Sequence, residues 1–148
     1  MYGVVSYFVS DDDLMEALRS IRSQVNTGGL FVFDTWNIVS VQEKRLYYET
    51  PSASFRRSGT MLAIKEEAWK LDLYNQAALL EITWSVIDLL EDKIDVFTHK
   101  INIRLFSPRE IKHYLREAGF DVKAVFENYA CKSFTELSPE MIIVASAT

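Results

Sequence analysis

The residues best suited to chemistry fall in a few short stretches. Asp34-Thr35-Trp36-Asn37 closes a continuous apolar run, Leu30–Phe33. In open α/β sheets, ligands bind beyond the carboxyl ends of the strands. That rule makes these residues a candidate substrate pocket, with Trp36 as an apolar or cation-binding wall. The structural alternative is that Asp34 caps a turn and Trp36 belongs to the core. His99 lies in an alternating stretch with apolar Phe97 and Ile101 two positions to either side. An inward imidazole of near-neutral pKa would be a catalytic general base, able to deprotonate an amine. The same position also suits a histidine satisfied within a core. His113 is expected on the solvent side of a helix. Arg56-Arg57 beside Phe55 reads as a contact for an anionic substrate or as a plain surface pair. Glu66, Glu67, Glu81, Glu91 and the Asp11–Asp13 run are expected to be solvated faces. Cys131 has no Cys or His at ligand spacing, so a metal site is not supported. There is no Ser-His-Asp order and no nucleophile elbow.

The elements that must carry these residues can be read from periodicity. Gly3–Phe8 is rich in β-branched and aromatic residues and is expected to be a buried strand. Ser10 offers an N-cap, and Asp11–Asp13 place acids where the helix dipole favours them. Leu14, Ala17, Leu18, Ile21 and Val25 then form one helical stripe. Asn26-Thr27-Gly28-Gly29 stops the helix, and Leu30–Phe33 reads as a strand covered on both faces. Strand, helix and strand in this order predict a parallel βαβ unit. Beyond Asn37 the period changes. Residues 45–106 carry short stretches around Pro51 and then long alternating runs, separated by Tyr74-Asn75-Gln76 and Glu91-Asp92-Lys93. They predict an antiparallel meander set into the α/β part. Ser107-Pro108-Arg109-Glu110 is a strong helix start, with an N-cap, a first-turn proline and a capping-box acid. Gly119 ends that helix, and Phe120–Tyr129 and Met141–Ala145 read as strands. No repeat or linker divides residues 1–148, which read as one domain.

Bulk properties narrow the classes. A chain of 148 residues with 49% hydrophobic residues can bury a real core. A net charge of −5 offers no basic surface for nucleic acid or an anionic membrane. No apolar run reaches the ~20 residues that span a bilayer. A lone cysteine and the lack of a signal-peptide pattern fit a cytoplasmic protein.

Two stretches carry a resemblance. "MYGVVSYFVS…VNTGGLFVFD" is similar to the fourth strand, helix and fifth strand of the class I S-adenosylmethionine (SAM)-dependent methyltransferases. "FSPREIKHYLREAGF", Phe106–Phe120, resembles that family's last helix, which precedes its final two strands. The meander between them resembles the layer that small-molecule N-methyltransferases, including amino-sugar N,N-dimethyltransferases, lay over the active site and use in dimer contacts. The resemblance covers nearly the whole chain but only the C-terminal half of the family domain. It implies an α/β fold: the second half of a Rossmann-like sheet with an inserted β-meander.

It also implies SAM as cofactor and a small-molecule methyl acceptor, with amines among the family's substrates. Met1, Tyr2 and Gly3 would lie beside the methionine portion of SAM, or else form a frayed strand start. Ser6 and Tyr7 fall where relatives place pocket-lining groups. One departure is large. The glycines are Gly3, Gly28, Gly29, Gly59 and Gly119, and none belong to an acid-x-G-x-G-x-G loop, which lets backbone approach the cofactor. The chain is therefore expected to be a frame read from an internal start, or the product of a gene that lost its 5′ half, and to be inactive alone. A bare strand edge at Gly3–Phe8 is expected to favour a homo-oligomer or a separate SAM-binding half. The rival expectation is a non-catalytic dimerisation or binding module.

Overall fold

The computed structural model describes residues 3–148. Helix α1, Asp11–Gln24, begins as its sequence requires: the Ser10 side chain accepts a hydrogen bond from Asp13 N at 3.1 Å. Leu14 and Leu18 face inward. Strand β1, Leu30–Trp36, follows, then two short helices, α2 (Ile38–Glu43) and α3 (Arg45–Glu49). Four strands come next: β2 (Ser52–Ser58), β3 (Met61–Asp72), β4 (Ala77–Asp88) and β5 (Lys93–Arg104). Helix α4, Pro108–Glu117, and strands β6 (Phe120–Phe126) and β7 (Glu140–Ala147) complete the chain.

Two antiparallel sheets result. One has the order β1-β7-β6 and the other β2-β3-β4-β5. Helices α1 and α4 cover the first sheet, burying Leu14, Leu18, Phe33, Ile111, Leu115 and Phe120 in one core. Phe31 and Phe33 sit two residues apart on one face of β1, with ring centroids 4.7 Å apart. A smaller core joins the base of the second sheet to α2 and α3, through Val41, Tyr48, Leu71, Ala78, Ile103 and Leu105. The chain leaves the first sheet and returns at one point. Ile38 N donates to Phe106 O and Phe106 N to Trp36 O, each at 3.0 Å. Both roots of the meander therefore flank the carboxyl end of β1.

Four expectations need correction. Gly3–Phe8 is not a strand. Val4–Tyr7 form a 3₁₀ turn, entered through Gly3 at φ 58° and closed by Ser6 N donating to Gly3 O at 2.8 Å. The left-handed residue breaks the extended run, and local bonds replace a ladder. The parallel βαβ unit is consequently absent among the described residues, and β1 pairs only with β7, antiparallel. The strand is not covered on both faces: Phe31 and Phe33 are buried, whereas Leu30 and Val32 are exposed. Arg45–Glu49, at the start of the predicted β region, is helical. An Arg45–Glu49 ion pair at i,i+4 spacing supports it, and Tyr48 anchors it in the smaller core.

Other devices match their sequence signals. Ser107 and Glu110 form the reciprocal capping box with Pro108 in the first turn. Both anticipated turns of the meander form, with Gln76 and Asp92 at φ 52°. Arg104, at the end of β5, ties three elements together. Its guanidinium lies 2.7 Å from both Asp11 and Glu110 and donates to Tyr114 Oη at 3.0 Å.

Candidate functional site

Beyond the carboxyl end of β1, under the base of the four-stranded sheet, lies a cavity of about 190 Å³. Two protein layers form it. The first sheet and the 3₁₀ turn supply Gly3, Tyr7, Asp34, Trp36 and Glu140; the meander supplies Trp69, Leu80, Ile101 and Ile103. Alternation explains the meander's contribution. Trp69 pairs with Leu80 and Leu80 with Ile101, so all three project from one face of that sheet. The Trp36 and Trp69 rings meet edge to face at 5.2 Å, and Tyr48 packs against both. Beyond this aromatic wall, an open groove is lined by Tyr47, Tyr48, Pro51 and Glu67. Glu67 accepts a hydrogen bond from Trp69 Nε1 at 2.9 Å, which fixes the indole.

Most of the carboxylate, hydroxyl and amide groups around the cavity are engaged with one another. Asp34 is buried; its carboxylate accepts from Gly3 N at 2.7 Å and from Tyr129 Oη at 2.8 Å. It thereby holds the 3₁₀ turn and the β6–β7 loop against the cavity. Ser6 is fully buried, and its hydroxyl bonds Thr35 Oγ1 at 2.8 Å. Asn37 is fully buried as well. Its amide donates to Glu136 O and Ser138 O, both at 2.8 Å, and its oxygen accepts from Val39 N. Ser6 and Asn37 thus build the walls, and neither lines the cavity. Glu140 is different. It lines the cavity half-buried, and among the described residues no hydrogen bond or ion pair reaches its carboxylate. Burial, and then the charge of Asp34, push its pKa above the ordinary carboxyl value.

Of the residues singled out from sequence, Gly3, Tyr7, Asp34 and Trp36 come together here. His99 does not. It is exposed on β5, opposite Ile82 and further out on the face that carries Ile101. The inward orientation expected for it fails because this face is buried only at its base. Met1 and Tyr2 lie outside the described residues. Sequence reasoning missed Trp69, Tyr129 and Glu140. The available signal for Glu140 was an acid placed immediately before the last apolar strand. Its partner in the β1–β7 register is Trp36.

Among the described residues, no cluster of His, Cys, Asp or Glu could hold a metal ion. The glycines do not form a cofactor cradle either. A Cβ at Gly28 or Gly59 would meet nothing within 4 Å, while Gly29 and Gly119 abut residues of α1 and the turn that follows it. Gly3 alone adjoins the cavity. The residues present do not fit the glycine-loop site of SAM, and no step through that cofactor is derived from them.

No family model and no curated protein matches the chain. Solved structures do. DesVI of Streptomyces venezuelae superposes with a TM-score of 0.76 at 18% identity, over 100% of this chain and 56% of its own. A SAM-dependent methyltransferase from Clostridium acetobutylicum gives 0.75 at 14% identity, over 99% and 55%. CalS10, an amino pentose methyltransferase from Micromonospora echinaspora, gives 0.74 at 15%, over 100% and 56%. The chain spans about half the length of these proteins. At such identities the likeness is one of fold. This chain has the α/β fold of the C-terminal half of SAM-dependent methyltransferases, with their inserted antiparallel layer.

Proposed function

We propose that this chain forms the acceptor-binding side of a SAM-dependent methyl transfer, with a small amine-bearing molecule as acceptor. The observation that carries the reading is the cavity itself. It sits at the carboxyl end of β1 beneath the meander, walled by two indoles and holding two carboxylates, with no Lys, Arg or His among its described lining residues. Such a site can bind an amine, orient it and keep water away, which is most of what methyl transfer to nitrogen asks of a protein. The methyl group itself comes from the cofactor, whose binding half must be supplied by other residues. Alone, the chain is inactive in this reading, and its setting is cytoplasmic.

The test is reconstitution. The chain is fused behind a half-domain that carries the glycine loop, and cofactor binding by the fusion is first established. Tritium transfer from labelled SAM is then measured onto aminohexoses and onto their N-acetyl derivatives. Methylation confined to the free amines is expected. A folded, cofactor-binding fusion that labels neither set overturns the proposal.

A second reading, an assembly module without catalysis, draws on a separate observation. The outer half of the meander is apolar and exposed on both faces: Trp84 and Phe97 on one, Phe55, Ile94 and Val96 on the other. Bare patches of this kind mark interaction surfaces. Both readings expect a homo-oligomer, so light scattering on the purified chain tests the surface. A dimer or larger species is expected at on the order of 20 μM, where a standard interface is populated. A clean monomer contradicts association.

A further inference from the structure

We propose that Glu140 is the residue by which the cavity selects a protonated amine over a neutral molecule of the same shape, pairing its carboxylate with the ligand's ammonium group. The proposal rests on the reading of the cavity as an acceptor site and adds the group that decides specificity within it.

The argument begins with charge. The cavity holds two carboxylates, and among its described lining residues there is no Lys, Arg or His. Asp34 is committed to Gly3 N and Tyr129 Oη. Glu140 has no such partner among the described residues, although it lies half-buried between an indole wall and the base of the meander. An ionised group withdrawn from water and left unpaired is unfavourable, and a bound monocation removes the deficit. Glu67, a further acid behind the aromatic wall, is taken up by Lys65 and Trp69 Nε1, and burial pushes the Tyr48 phenol up.

The walls point the same way. Trp36 and Trp69 offer indole surface, the best aromatic partner for an ammonium ion. Glu140 is paired directly with Trp36 across β1 and β7, so acid and ring belong to one rigid sheet edge. The segment that leads into Glu140 is pinned as well. Asn37 N donates to Pro139 O at 3.0 Å, the Asn37 amide holds two further carbonyls, and Ser40 Oγ donates to Leu137 O at 2.9 Å. A carboxylate on so fixed a support loses little freedom when it pairs with a ligand. The volume, about 190 Å³, suits a six-membered ring with one substituent, since a cavity on the order of 150 Å³ accepts benzene.

The test uses the full chain and two probes of matched shape, cyclohexylammonium and cyclohexanol. Binding is followed through the indole N–H signals of the three tryptophans in an NMR titration. Trp36 and Trp69 line the cavity, whereas Trp84 lies far out on the meander and serves as an internal control. The wild-type chain is expected to bind cyclohexylammonium about tenfold more tightly than cyclohexanol. In Glu140→Gln that preference falls to within about twofold while cyclohexanol binding is kept, and Glu140→Asp, which retains the charge, keeps the preference. Cyclohexanol binding with no preference in the wild type, or a preference that survives Glu140→Gln, overturns the role of Glu140 and leaves the cavity as a ligand site. If neither probe moves Trp36 and Trp69, or if Trp84 moves equally, the acceptor-site reading falls together with the proposal.

Discussion

At Glu140 the unpaired carboxylate has a consequence for stability. Burial and the neighbouring Asp34 raise its pKa above the ordinary 4.5. A raised carboxyl pKa means that the folded state binds the proton more tightly than the unfolded chain does. The resulting stabilisation is complete below the ordinary value and is lost as pH rises through the folded-state pKa. Glu140→Gln removes this loss. Its melting temperature should match wild type near about pH 4 and exceed it increasingly toward about pH 8. Parallel melting curves across that range would show that the carboxylate is not strained. Activity probes the same residues. In the fused enzyme, Trp36→Ala and Tyr7→Phe should impair methyl transfer, and exposed His113→Ala should not. Equal damage from His113→Ala in folded protein would put the site on the wrong side of the sheet. Trp36, Tyr7 and Asp34 were legible because a strand end can be located from one segment. Glu140 and Trp69 were not, because each reaches the site through a strand register or a layer contact that no local pattern encodes. For His99, alternation identified the face correctly but could not say how far along the strand burial extends.

Among the elements, α4 was the most legible, because a capping box is a local device within four residues. Ser107→Ala removes the acceptor for Glu110 N and should cost about 1 kcal/mol. For a domain of this size, thermal melting should register a drop of roughly 3 °C. No drop would mean that the Arg104 cluster fixes the helix start on its own. The Val4–Tyr7 turn was the least legible. Its residues favour extended backbone individually, but a strand needs a neighbouring strand to satisfy its amides, and a Gly3 in the left-handed region turns the chain instead. The meander was legible as strands, and its hairpin turns fell where the polar breaks stood.

The whole molecule joins the cavity proposed as an acceptor site to a sheet in which β1 is an edge strand among the described residues. Among the described residues β1 has β7 on one side only. With no glycine cradle in the chain, calorimetric titration with SAM should show no binding in the micromolar range or tighter; a micromolar dissociation constant would mean that another set of residues receives the cofactor. The order of assembly follows from the same topology. The strands β2 to β5 join their immediate sequence neighbours, so the meander closes through short-range hairpins. The pairing of Trp36 with Glu140 instead closes a loop of roughly a hundred residues, which is entropically slow. The cavity is therefore expected to be the last part of the molecule to be completed. Amides of β1 and β7, strands that carry the buried Phe33, Met141 and Ile143, should exchange with deuterium more slowly than those of the exposed outer meander; the reverse order would mean that long-range pairing alone limits local stability. In this chain, the strand pairing that is slowest to form is also the one that sets acid beside indole.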